Sequence, residues 1–250
     1  MERIRSRRVA PVAALGLLSC WASARPRRIA ALFATSFCFT THGAAEPFTP
    51  TPAETIMKVT SLPSPRRDGP LSLEKTLQQR RSVRAFTDQP LTQTEIAQLL
   101  WAAQGVTGAE GERTAPSAGA LYPLEVYAIT SSGVFHYDPG RHALARVRDG
   151  DRRAELSAAA WDEESVRQAP LTVVITAVFA RTETKYGRTR SPRYVHLEAG
   201  HAAQNLLLQA VVLGLGAVPV GAFGDKQVQA VLGDPGDRQP LYLIPVGHPR

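Results

Sequence analysis

The sequence predicts an α+β fold built around one sheet. Two helix-periodic segments precede a run of alternating, strand-like ones. A β-branched run at 171–179 has the character of a buried central strand, and a long apolar helix separates it from two further strands. Strands gathered in runs, instead of alternating one by one with helices, argue against regular βαβ winding.

The first helix is expected within 71–81, with Ser72 as its N-cap and Leu73 and Leu77 one turn apart. Thr92-Gln93-Thr94-Glu95 is a capping-box pattern that opens a second helix, whose Ile96, Leu99, Leu100 and Ala103 form one apolar face. Residues 125–130 and 133–137 alternate like strands about the turn Ser131-Ser132-Gly133, and 142–148 supplies a third strand through Leu144 and Val147. After the 171–179 run, 194–215 reads as a long helix, apolar nearly all round at 206–208 and 211–213. Such a helix is buried, within the chain or against a partner subunit. Gly214 and Gly216 suit its C-cap, and 217–220 and 241–246 supply the last strands.

The formal charge of +7 is concentrated at the start of the chain: residues 1–50 carry seven Arg and two Glu. The near-neutral remainder offers no phosphate-tracking surface, so nucleic-acid binding is not expected. Both cysteines, Cys20 and Cys38, lie in this leader, which leaves the body without a thiolate nucleophile or a cysteine metal ligand. Arg3, Arg5, Arg7 and Arg8 precede the apolar run 9–18; Arg25, Arg27 and Arg28 precede a second, 29–39, closed by Gly43-Ala44-Ala45. Residues 1–45 therefore read as an export signal or anchor segment of a periplasmic or cell-envelope protein, which would otherwise be cytoplasmic. Leu17-Leu18-Ser19-Cys20 resembles a lipoprotein box and Ser6-Arg7-Arg8 part of a twin-arginine signal. A membrane contact is expected only through this leader. Residues 46–70, with Pro47, Pro50, Pro52, Pro63, Pro65 and Pro70, form a linker or wrapping arm ahead of one domain at 71–250.

Four segments carry candidate chemistry. Arg80, Arg81, Ser82 and Arg84 sit where a helix ends: they are either a solvated basic terminus or a clamp for phosphate. Pro116-Ser117-Ala118-Gly119-Ala120-Leu121 is either a simple connecting loop or a run of small residues that lets backbone approach a flat ligand closely. Gly214-Leu215-Gly216 stands where a helix gives way to a strand, the reverse of a dinucleotide fingerprint, which disfavours a Rossmann site. His196 and His201 are five apart, so no zinc-binding HExxH exists and no metal site is expected; Glu198 and His201 share a face at i+3.

In this order, RRSVRAF at 80–86, APSAGALYPLEVY at 115–127, HLEAGHAAQNL at 196–206 and VPVGAF at 218–223 resemble the nitroreductase superfamily, in particular its azoline-dehydrogenase (SagB-like) branch. The resemblance covers about 71–250. It implies a homodimeric FMN enzyme with a mainly antiparallel sheet and cofactor sites shared between subunits. Arg80, Arg81, Ser82 and Arg84 would hold the phosphate and ribityl chain. Pro116, Ser117, Ala118, Gly119, Ala120 and Leu121 would be laid against the partner's flavin, with Pro219, Val220, Gly221 and Ala222 behind the ring. Arg250 is the candidate for a basic C-terminal residue on the phosphate. Lys185 and Tyr186 match a Lys-Tyr pair implicated in catalysis, where a base accepts a substrate proton as hydride leaves for flavin N5. The chain is shorter than that branch and carries a leader. A small-molecule substrate is expected, with an NAD(P)H-dependent nitro- or quinone reductase, or a non-catalytic flavin-binding scaffold, as alternatives.

Overall fold

The structure, a computed structural model, describes residues 58–233 and 236–250. The expected export segment and the first part of the proline-rich arm lie outside the described residues. The described chain runs β1 (Val59–Ser61), α1 (Leu73–Gln79), α2 (Gln93–Gln104), β2 (Leu124–Thr130), β3 (Gly133–Asp138) and β4 (Ala143–Asp149). It continues with α3 (Arg153–Ala159), α4 (Glu164–Gln168), β5 (Leu171–Ala177), α5 (Phe179–Val212), β6 (Gly216–Ala217), α6 (Asp225–Leu232) and β7 (Gln239–Gly247). The seven strands form one sheet ordered β1-β4-β3-β2-β5-β7-β6, every neighbouring pair antiparallel, as an α+β fold requires.

Cap chemistry sets the first two helices. The Ser72 hydroxyl accepts from the Lys75 amide at 3.3 Å. Thr92 and Glu95 form the reciprocal capping box, with amide contacts of 3.2 and 2.7 Å. The arm, expected as linker, contributes β1, whose Val59, Thr60 and Ser61 pair with Ala145, Leu144 and Ala143. His142 precedes β4 in the left-handed region (φ 47°), not within the strand as expected, and its Nε2 meets the Pro63 carbonyl at 2.9 Å.

The sheet is covered on both faces. Along β2 and β5, Val126, Ala128, Val173 and Ile175 pack against α2 and α5, while Tyr127, Ile129 and Val174 face α3 and α6. Double-sided burial explains why LTVVITA in β5 is β-branched without polar alternation: all seven residues are buried. The strand is shorter than the expected 171–179, because Phe179 already opens α5. That helix begins well before residue 194 and is broken at Gly187 (φ 69°, ψ 164°). Its later part buries Val195, Ala199, Ala202, Leu206 and Ala210, a stripe of helical spacing. Gly214 (φ 71°) follows its C-cap, Leu213, as expected. Gly216 does not cap: it lies in β6, where a Cβ would come within 2.6 Å of Val83 Cγ1. The strand expected at 217–220 is reduced to this short β6 and a bridge from Val220 to Leu243.

Candidate functional site

Three segments distant in sequence converge beside β6. After α1 the chain runs extended, and Ser82 bridges Ala217 in parallel while the Val83 amide donates to the Ala217 carbonyl at 3.0 Å. From the other side, Thr87 N–H donates to His248 O (2.9 Å) and Arg250 N–H to Ala85 O (3.2 Å). The backbone of Arg250 is thereby placed beside Arg84. Arg81 donates from Nη1 to the carbonyls of Gln78 and Arg80, each at 2.8 Å, and so serves the end of α1. Ser82 and Arg84 are exposed and Arg80 partly so. The guanidiniums of Arg80 and Arg84 have no hydrogen-bond or ion-pair partner among the described residues.

The loop beyond β6 is fixed by two bonds between Val220 and Leu243, N–H to O in each direction at 2.8 and 3.0 Å. The next two residues, Gly221 and Ala222, are exposed, and their N–H groups have no partner among the described residues. Open space lies where a Cβ of Gly221 would project. Unpaired guanidiniums, a free hydroxyl and adjacent free amides are donors suited to an oxyanion and to the polar edge of a ring.

A second group forms around residues 116–122. Ala118–Ala120 make a 3₁₀ turn closed by Ala120 N–H to Ser117 O (3.1 Å), and the Ser117 hydroxyl accepts from the Tyr122 amide at 2.9 Å. Gly119, Ala120 and Tyr122 all have positive φ, at 65°, 55° and 45°. For the two residues with side chains this is strain that the surroundings must hold, at about 1–3 kcal/mol each. Arg113 stacks over the Tyr122 ring at 4.4 Å, and Arg181 donates to the Tyr122 carbonyl at 3.0 Å. Lys185 and Tyr186 lie on α5 just before its break, and they meet this turn. A Cβ on Gly119 would stand 2.9 Å from Lys185 Nζ and 3.0 Å from Tyr186 Oη. Tyr186 also packs against Tyr194, with ring centroids 4.6 Å apart.

Sequence reasoning missed Arg113, Arg181 and Glu198 in this group. Glu198 and His201 were expected to share a face, yet His201 is exposed and Glu198 is 3% exposed, with no bond between them. Burial raises the Glu198 carboxyl to about 7, against the opposing pull of the Ser117 hydroxyl and the Arg113 guanidinium. Its Oε1 has no partner among the described residues. The available signal was its place in the apolar stripe between Val195 and Ala202.

Comparison with known proteins gives a consistent result. The model of the nitroreductase family matches residues 77–248. The nitroreductase-family protein of Methanocaldococcus jannaschii is 44% identical over 71% of this chain and 91% of its own length. The FMN reductase [NAD(P)H] of Bacillus subtilis is 27% identical over 70% of this chain and 65% of its own length. Among solved structures, a nitroreductase-like protein of Ralstonia eutropha superposes with a TM-score of 0.71 at 32% identity, covering 79% of this chain and 92% of that one. A chain of the Escherichia coli microcin synthetase McbBCD complex, solved with truncated pro-MccB17 bound, gives 0.62 at 25% identity, covering 69% and 70%.

Proposed function

The chain belongs to the nitroreductase family of oxidoreductases, and on that premise we propose that it is a homodimeric FMN enzyme exchanging hydride with a small organic substrate in a ping-pong cycle. The observation that carries this reading is the meeting of residues 80–84, 217–222 and 250, which gathers unpaired donors beside one strand end. Arg80, Ser82 and Arg84 hold the cofactor phosphate, with Arg250 beside them, while Arg81 stiffens the helix end from which they project. The N–H groups of Gly221 and Ala222 would serve the polar edge of the flavin, with Pro219 and Val220 beside it. When bound, FMN supplies the two-electron chemistry, accepting and returning hydride at N5. Residues 116–121 serve the partner subunit's cofactor and carry Lys185 and Tyr186 with them. Lys185 or Tyr186 then takes the proton that leaves a substrate carbon.

That pair, together with the likeness to the microcin synthetase chain, favours a dehydrogenase. A reductase drawing on NAD(P)H is the second reading, favoured by the likeness to the Bacillus FMN reductase. We also propose that the leader at 1–45 exports the protein; intact leader on cytosolic protein in a fractionated producer cell argues against it. The first experiment is an absorption spectrum of the purified full chain, then anaerobic titration with NADPH. A yellow protein indifferent to NADPH supports the dehydrogenase, and one bleached by it supports the reductase. A colourless protein that takes up no FMN overturns the proposal. Lys185→Ala and Tyr186→Phe should retain FMN yet slow its reduction by substrate roughly 100-fold; unchanged rates remove the pair from the mechanism.

A further inference from the structure

Between the inner end of α2, the start of β2 and strand β3 lies a cavity of about 430 Å³, with Val59 of the arm on its wall. That volume suits a small ligand. Its charged lining is three guanidiniums, Arg113, Arg141 and Arg181, against two carboxylates, Glu125 and Asp138.

The carboxylates are already engaged. Glu125 is bonded to His136 Nε2 and to Arg181. Burial alone would raise its pKa, but those two partners hold it down to about 2. Asp138 accepts from the Arg141 amide at 3.1 Å and stands 3.7 Å from its Nε. Arg113 differs. It is partly buried, stacks on Tyr122 and forms no carboxylate ion pair among the described residues.

The one polar side chain bonded to Arg113 is Gln104, whose Oε1 accepts from Nη1 at 2.8 Å. This contact fixes the amide orientation, because a guanidinium can only donate. The Gln104 NH₂ is therefore turned away from Arg113. Gln104 is fully buried, lines the cavity, and its Nε2 has no acceptor among the described residues. A buried amide donor without a partner is a costly state that an incoming acceptor relieves.

We propose that this cavity binds a small carboxylate-bearing molecule, held by Arg113 and the Gln104 amide. The two oxygens of one carboxylate match a guanidinium fork on one side and an N–H donor on the other. Val59, 51% exposed, and the partly buried Pro139 line the same cavity and face the apolar remainder of the molecule. Tyr122, touched by both Arg113 and Arg181, links the occupant to the strained turn at 118–120. The site stands on its own chemistry and needs no flavin.

Calorimetric titration of the full chain with cyclohexanecarboxylate tests it, with cyclohexanecarboxamide as the uncharged control. The acid should bind once per chain and the amide at least roughly tenfold more weakly. Gln104→Glu places a carboxylate where the orphan donor stands and lets it pair with Arg113. It should lower the acid's affinity roughly tenfold or more while the protein stays folded. Arg141→Gln, at a side chain that is 76% exposed and remote from the core, should weaken binding about threefold through the lost charge. Failure of the wild type to bind the acid, equal binding of acid and amide, or affinity unchanged in both variants would each overturn the site.

Discussion

Glu198 ionises at the cost of leaving its burial uncompensated, and this couples the Ser117 turn to pH. Its folded pKa of about 7 lies above the ordinary carboxylate value of 4.5. Below pH 4.5 the group is protonated in both folded and unfolded states and costs nothing. As pH rises towards 7 the unfolded chain gives up this proton first, so stability falls across that window and stays lower above it. Glu198→Gln removes the titration. The variant should exceed wild type at pH 8 by on the order of 2–3 kcal/mol in denaturant unfolding, and match it near pH 4. A wild-type profile as flat as the variant's would show that Glu198 does not titrate between them.

At the scale of elements, the arm is held by a short strand, one imidazole and two glutamines of α2: Gln93 donates to the Ser61 carbonyl at 3.3 Å, and Gln98 bonds the amide and carbonyl of Arg66 at 2.8 and 3.0 Å. β1 offers three residues to β4, and His142 ties the Pro63 carbonyl to the Tyr137 hydroxyl, its ring nitrogens 2.9 Å from each. His142→Ala should therefore free residues 58–64, raising their amide exchange by about tenfold or more while β2 and β5 keep their protection. Unaltered exchange in the arm would mean that β1 and the α2 glutamines hold it without the imidazole. Elements with chemical end signals were legible from sequence: Ser72, and Thr92 with Glu95, mark α1 and α2, and alternation marks β2 and β3. The early part of α5 was hidden. Arg181, Glu183, Lys185, Arg188, Gly187 and Pro192 give it the look of a connection, and only the break at Gly187 reconciles those residues with a helix. Similarly, the motifs at 80–86, 116–121 and 218–223 could be read locally. The burial of Glu198 and the orphaned Gln104 amide could not, because each depends on neighbours brought from elsewhere by packing.

For the whole molecule, a single chain leaves apolar surface that the proposed dimer would cover. Leu73 and Leu77, one turn apart on α1, are 61% and 52% exposed. Beside them Leu71, Trp101, Leu208 and Val212 line a groove of about 340 Å³ between α1, α2 and the end of α5. Exposed leucines at helical spacing beside such a groove fit a helix face packed against a second copy. Leu77→Asp should shift the sedimenting species from dimer to monomer and weaken FMN retention with it. A monomeric variant that keeps its flavin would separate the cofactor site from the subunit interface.

The strand order also has a consequence in time. β2, β3 and β4 are joined by short turns and can zip together early, whereas β5 must wait for β7, pairing Leu171 with Val246 across a separation of about 75 residues. Non-local pairing of this kind is slow, because a long loop must close before any contact rewards it. Until β7 arrives, the β-branched β5 presents an open edge, so recovery of native protein from denaturant should fall as chain concentration rises. The strand that is best protected in the finished sheet is thus the one most exposed to mispairing on the way to it.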